Sequence, residues 1–215
     1  MSINVYSLGS GSKGNCVVLA DGKNNIMIDA GLYPTATYRK LAEIGLGIGD
    51  LSGILLTHEH SDHIKSLSVL AEVLPVYTHA DTINALADSM ENLPLDSFHP
   101  VGEEPFTVGG YEVTAFSVSH DAAHPLGFTV SNGNEKVGYV TDTGFISRGV
   151  KKAVSGCDVI VAESNHDKEL LLRGSYPERL KRRILSDKGH LCNDESALFC
   201  RDLAENGAKR IMLAH

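Results

Sequence analysis

The sequence predicts a layered α/β fold, with two β-rich halves packed face to face and helices outside, on three observations. Short apolar runs occur in two groups along the chain, and each group is followed by segments with helical spacing. The chain has 215 residues, 42% of them hydrophobic, which is enough to bury one sizeable core. No long linker, low-complexity segment or repeat interrupts it, so one domain over residues 1–215 is the simplest organisation.

Residues 3–8, 16–20 and 25–29 read as strands punctuated by the glycine-rich residues 9–14 and by Asp21-Gly22, so the chain begins as a β meander. Residues 34–46 carry helical spacing and residues 52–56 form a buried apolar strand. A helix is expected from near Asp62 through Ile64, Leu67, Val69 and Leu70. A strand at Val76-Tyr77 and a helix over 81–89 close the first half. The second half opens with strands near 110–118, 126–131 and 136–141, the last two joined at Asn132-Gly133-Asn134. A helix over 146–154, a strand over 158–163, helices near 177–186 and 194–206 and a final strand over 211–214 lead to His215.

No stretch approaches the roughly 20 apolar residues of a membrane span, and Met1-Ser2-Ile3-Asn4 lacks the regions of a signal peptide. A cytoplasmic location without a membrane partner is expected. Cys16, Cys157, Cys192 and Cys200 are far apart, make no zinc-knuckle spacing and read as reduced thiols. A net charge of −8 excludes a surface coated with basic residues for gripping nucleic acid.

The chemistry starts at His58-Glu59-His60-Ser61-Asp62-His63. His58 and His60 lie two apart on a strand exit, so both imidazoles point the same way and can share one metal. Asp62 and His63 follow at a helix start, placed to serve a second metal. One such run cannot complete two coordination shells, and ligand-type residues do stand at the ends of other apolar strands: His120 after 113–118, Asp142 after 137–140 and His215 after 211–214. Any one of these alone reads as an ordinary strand-end polar residue. Together with the histidine run they read as further ligands.

This pattern resembles the metallo-β-lactamase superfamily over nearly the whole chain. More narrowly, Ser10-Gly11-Ser12-Lys13-Gly14-Asn15-Cys16, Ser119-His120-Asp121-Ala122, Glu163-Ser164-Asn165-His166-Asp167 and Gly189-His190-Leu191 resemble its YycJ (WalJ) type. The resemblance implies the metallo-β-lactamase fold, a four-layer αβ/βα sandwich, and a zinc- or manganese-dependent hydrolase. A 5′-to-3′ DNA exonuclease activity is attributed to some members. It further implies that His58, His60 and His120 hold one metal, that Asp62, His63 and His215 hold another, and that Asp142 bridges them. Asp29 matches the superfamily's first motif, and its expected role is to accept an N–H from a ligand histidine. His190 matches a position from which an imidazole donates to a phosphate or carbonyl oxygen. Members continue for some tens of residues beyond the position of His215, so a C-terminal tail is expected to be missing and His215 to be the least firmly held ligand.

Two divalent ions, Zn2+ or Mn2+ because no cysteine joins the set, are expected to yield a bridging hydroxide as nucleophile. Asp62 then orients the nucleophile or relays its proton, and His190 stabilises developing negative charge. Arg173, Arg179, Lys181, Arg182, Arg183 and Lys188, against Glu178 and Asp187, make a cationic stretch leading into His190. It suits a phosphodiester such as single-stranded DNA or a DNA 5′ end, and reads equally as a solvated helix face. A thioesterase or lactonase of the glyoxalase II type would use the same metals on a carbonyl and stays open. Residues 9–14 read as a tight turn without P-loop spacing, with Ser12 and Asn15 as candidate substrate contacts. His79, His99 and His124 read as surface or structural residues, and His166 as balanced between a structural and a site role.

Overall fold

The computed structural model describes residues 2–215, and among these residues twelve strands form two six-stranded sheets. The first sheet runs in chain order through β1 (Asn4–Gly9), β2 (Cys16–Ala20), β3 (Asn25–Ile28), β4 (Ile54–Leu55), β5 (Val76–Thr78) and β6 (Phe98–Pro100). Its first three strands are an antiparallel meander, and the neighbours from β3 onward are parallel. The second sheet follows the same plan through β7 (Phe106–Val108), β8 (Tyr111–Ser117), β9 (Leu126–Ser131), β10 (Lys136–Val140), β11 (Val159–Glu163) and β12 (Arg210–Ala214). It is antiparallel as far as β10 and parallel beyond.

Parallel neighbours cannot be joined by a tight turn, so each parallel step needs a crossover, and the crossovers carry the helices. In the first half these are α1 (Pro34–Glu43), the single turns α2 (Ser61–Ile64) and α3 (Leu67–Leu70), and α4 (Ala80–Ser89). In the second they are α5 (Arg148–Ala153), α6 (Lys168–Arg173), α7 (Glu178–Ile184) and α8 (Asn193–Glu205).

The period of two along each strand decides which layer a side chain joins. Val17, Leu19, Ile26 and Ile28 of the first sheet meet Tyr111, Val113, Phe128, Val130, Val159 and Val161 of the second, forming the central core. Their alternates Val18, Met27 and Ile54 face Leu41 of α1, Leu67 and Leu70 of α3, and Leu86 of α4. On the far side Val140, Ile160 and Ala162 face Val150 of α5 and Phe199 and Leu203 of α8. The result is helix, sheet, sheet, helix, the four-layer sandwich the sequence predicts.

Three features depart from the sequence reading. The helix expected from Asp62 to Leu70 is broken, because the Ser66 N–H and hydroxyl both donate to the Ala30 carbonyl, at 2.9 and 3.1 Å. The Ala30 N–H in turn donates to the His63 carbonyl at 2.8 Å, so the turn is tied to the exit of β3 and not to its own next turn. The strands β6 and β7 are three residues each, too short for a period to show, and were not expected. Nor was α6, which exposes Leu170 and Leu172 and so has no clean apolar stripe.

Phe128 is fully buried in the central core, so Phe128→Ala is expected to cost about 3–5 kcal/mol in denaturant unfolding. Leu198→Ala, at a position 53% exposed, should stay within about 0.5 kcal/mol of the parent. Equal losses at the two positions would contradict this layering.

Candidate metal centre

The polar residues at the strand ends converge on one edge of the sandwich. Asp29 follows β3, His58 and His60 follow β4, Asp142 follows β10, Glu163 ends β11 and His215 follows β12. These are the carboxyl ends of strands in the parallel parts of the sheets, where open α/β folds place their ligands. Asp29, Asp142 and His215 have φ of 61°, 55° and 58°, in the left-handed region that side chains other than glycine avoid. Each such residue costs about 1–3 kcal/mol, which the surrounding hydrogen bonds must overcome.

Two groups of side chains make up the centre. His58, His60 and His120 bring one ligand atom each within 4.8 Å of one another. The His120 Nδ1 donates to the Gly189 carbonyl at 3.0 Å, which leaves Nε2 as a lone pair. That nitrogen lies 3.2 Å from the His60 Nδ1, close to the roughly 3.3 Å edge expected between two nitrogens on a tetrahedral zinc with bonds near 2.0 Å. The Nδ1 of His58 meets the Thr57 hydroxyl at 2.9 Å, while its Nε2 is buried with no hydrogen-bond partner. Burial first, and the charge of His63 second, hold His58 well below the ordinary histidine range. Burial likewise lowers His120, so both present the neutral form that ligates a metal.

Asp62, His63 and His215 form the second group. The His63 Nδ1 donates to Asp29 Oδ2 at 2.8 Å, as the sequence reading expects, and Asp29 Oδ1 also takes the Thr57 N–H at 2.9 Å. The opposite nitrogen of His63 lies 3.4 Å from Asp142 Oδ2 and 3.7 Å from Asp62 Oδ2. The His215 Nε2 lies 3.3 Å from Asp142 Oδ1 and 3.6 Å from Asp62 Oδ2. Since Asp142 Oδ1 is also 3.8 Å from the His120 Nε2, Asp142 stands between the two groups. Burial pulls His63 down, but the Asp29 and Asp142 carboxylates outweigh it and lift the ring to about 9. His215 is raised to about 11, burial being outweighed by its contacts with Asp62 and Glu163. Asp142 is driven the other way, far below the usual carboxylate range, because His63 and His215 outweigh its burial.

Three of the converging atoms, His58 Nε2, Asp142 Oδ2 and His215 Nε2, are buried without a hydrogen bond. Leaving such an atom unsatisfied costs about 1–3 kcal/mol, and a divalent cation is the partner that satisfies imidazole and carboxylate lone pairs together. The donor set therefore fits a metal.

Sequence reasoning gave no role to Glu163, which helps hold this set in place. Glu163 is fully buried, takes the Thr143 N–H at 2.7 Å on one oxygen, and faces the Nδ1 of His190 at 2.8 Å and of His215 at 3.2 Å with the other. Its signal was visible: a carboxylate ending the apolar strand β11, as Asp29 ends β3. The His215 N–H donates to the Ser10 hydroxyl at 2.6 Å and its carbonyl accepts from Asn165 at 2.8 Å. Asn15 is buried and donates to His63 Nε2 at 3.0 Å and Asp62 at 3.1 Å, so it braces the centre and is not an open substrate contact.

The centre is the floor of a cleft of about 440 Å3, with Ser12, His166, Tyr176, Arg183 and His190 among its lining residues. The basic stretch divides its duties. Arg183 lines the cleft, Lys181 is buried against the Leu172 carbonyl, and Arg173 pairs with Glu169 at 3.2 Å. His79 and His124 stack on each other beside Asp81, and His99 stacks on Tyr77, none of them lining this cleft.

The family model described as a Beta-lactamase superfamily domain matches residues 24–215. This chain belongs to that superfamily. Within it the chain is of the YycJ type: it is 44% identical to Exodeoxyribonuclease YycJ of Bacillus anthracis, over 100% of this chain and 83% of that protein. Exodeoxyribonuclease WalJ of Streptococcus pneumoniae serotype 2 is 38% identical, over 97% of this chain and 79% of the relative. Among solved structures, the metallo-beta-lactamase fold protein YhfI of Bacillus subtilis superposes with a TM-score of 0.75 at 18% identity, covering 100% of this chain and 87% of that one. Membership makes this superfamily protein a metal-dependent hydrolase.

Gly31 tests the geometry without altering a polar group. A Cβ there would lie 1.7 Å from the Asp62 carbonyl oxygen and 2.5 Å from the Asn15 nitrogen. Gly31→Ala is therefore expected to cost about 1–3 kcal/mol of stability and to lower the bound zinc found by elemental analysis. Parent-like stability and zinc content would contradict this placement.

Proposed function

We propose that this chain is a cytoplasmic phosphodiesterase with two divalent ions, acting on single-stranded DNA or a DNA 5′ end as an exonuclease. The observation that carries the reading is the seven-residue donor set His58, His60, Asp62, His63, His120, Asp142 and His215, of which His60, Asp62, His120, Asp142 and His215 line one cleft together with Arg183. The names of the two exodeoxyribonuclease relatives support the choice of DNA. The four free cysteines, and the finding that no helix is long and apolar enough to cross a membrane among the described residues, support the compartment.

In this reading His58, His60 and His120 hold one ion, Asp62, His63 and His215 hold the other, and Asp142 reaches both. Zn2+ or Mn2+ bound there supplies a hydroxide nucleophile at neutral pH and Lewis-acid stabilisation of the phosphoryl oxygens. With a metal bound, Asp29 and Glu163 would each hold an Nδ1–H, of His63 and of His215, and so leave Nε2 to ligate the ion. Asp62 would ligate with one carboxylate oxygen and orient the nucleophile or take its proton with the other. His190, with Nδ1 held by Glu163, lines the cleft and is assigned the role of donor to a phosphoryl oxygen. Arg183, held by Asp121 through Nε and Nη2, lines the cleft with guanidinium N–H groups left to donate to a phosphate.

The test is a panel on one metal-loaded preparation: single-stranded DNA, bis-p-nitrophenyl phosphate, S-lactoylglutathione and a homoserine lactone. Hydrolysis of the first two is expected, with Asp62→Ala slower by about 100-fold or more. Activity confined to the two carbonyl substrates would replace this reading with that of a glyoxalase II-type thioesterase or lactonase.

A further inference from the structure

A second cluster of donor side chains lies outside the cleft, where α4 of the first half meets the segment between β8 and β9 of the second. His79 precedes α4, Asp81 sits in its first turn, and His124 stands in that segment. One donor atom from each of the three lies within 4.8 Å of the other two. The His79 and His124 rings stack with centroids 3.5 Å apart and planes 15° from parallel. The Nδ1 of each lies near the same oxygen, Asp81 Oδ2, at 3.4 Å for His79 and 3.6 Å for His124.

Hydrogen bonding does not account for that approach. Both distances exceed the range of an N–H···O bond, roughly 2.7–3.2 Å. The His79 Nδ1 accepts the Asp81 N–H at 3.2 Å, so it carries no proton to give the carboxylate. The His124 Nε2 meets the Ser117 hydroxyl at 3.2 Å, and with the proton on Nε2 its Nδ1 is a second lone pair. Two lone pairs facing a carboxylate oxygen repel it, and a cation among the three turns that repulsion into attraction. Spacings of 3.4 and 3.6 Å are close to the roughly 3.3 Å edge of a tetrahedral zinc with bonds near 2.0 Å. The side chains of His79, His124 and Asp81 are 26%, 32% and 59% exposed. An ion therefore reaches them from solvent, and the rings have room to splay from the stack until both lone pairs aim at one point.

We infer that His79, Asp81 and His124 form a peripheral site for a divalent transition ion, zinc by its donor set, which staples α4 to the segment before β9. That segment has two other ties to the first half: the Thr82 hydroxyl donates to the His124 carbonyl at 3.3 Å, and the Ala123 N–H donates to Glu59 at 2.8 Å. It also carries His120, so an ion here stiffens the loop that presents a ligand to the strand-end centre. Three partly exposed donors hold an ion less tightly than the buried set, so this site fills after that centre. The inference does not depend on the phosphodiesterase reading.

The experiment is equilibrium dialysis against excess zinc followed by elemental analysis, on the parent, His124→Ala, Asp81→Asn and, as a control for surface histidines, His99→Ala. The parent and His99→Ala should each hold one more zinc per chain than His124→Ala and Asp81→Asn. The expected result is a difference, so it stands whatever number of ions the strand-end centre takes. At free zinc 100-fold above the Kd of the site, the parent should gain about 5–10 °C in melting temperature over His124→Ala. Asp81→Asn keeps the backbone N–H that caps α4, so without excess zinc it should melt with the parent, and its missing ion then reports on the site. Equal zinc counts for the parent and His124→Ala would overturn the site and leave a proton as what balances Asp81. The same loss in His99→Ala would overturn it as adventitious surface binding.

Discussion

At the end of β3 the buried carboxylate of Asp29 accepts the His63 Nδ1 proton with one oxygen and the Thr57 N–H with the other. That pair of bonds fixes the geometry of the whole histidine run. It orients His63 toward the centre, and through Thr57 it sets the residue that precedes His58, so both halves of the run are indexed to one strand end. Asp29 holds a left-handed backbone conformation to do this, and its charge lifts His63 despite complete burial. The second half of the chain contains a counterpart in Glu163, which engages His190, His215 and the Thr143 N–H from the end of β11.

The centre is therefore a place where local stability is given up. Three strand-end residues sit at positive φ, and the buried His58 Nε2, Asp142 Oδ2 and His215 Nε2 lack hydrogen bonds. Imidazoles and carboxylates crowd together so closely that His215 and Asp142 are displaced in opposite directions from their ordinary protonation ranges. What sustains this arrangement is the scaffold beneath it, a central core in which Phe128, Tyr111, Ile26 and Ile28 are fully buried between two sheets. A metal ion binding the folded chain would return part of that cost, because binding to a preformed site adds directly to folding stability.

Much of this was legible in the sequence, and the legible part shares a physical cause. An apolar strand that stops on His, Asp or Glu advertises a polar group held at a rigid terminus, and His58, His120, Asp142 and His215 were all visible in that way. The strand pattern likewise gave the layers, since alternate residues of β2 and β11 had to face opposite sides. What stayed hidden depends on contacts distant in sequence. The break at Ser66 comes from a carbonyl at Ala30, the anchoring of His215 from Ser10 at the other end of the chain, and the burial of Lys181 from the return of α7 against α6. Charge counting alone could not show that of six basic residues Arg183 lines the cleft while Lys181 clamps the fold.

The central claim is that strand ends from both halves deliver one set of ligands for two ions. Anomalous X-ray diffraction from crystals of the zinc- or manganese-loaded protein tests it most directly. Two peaks are predicted, one within bonding distance of His58, His60 and His120, the other within bonding distance of Asp62, His63 and His215, with Asp142 touching both. A single peak, or full occupancy at the His79, Asp81 and His124 cluster with none at the strand ends, would contradict the account.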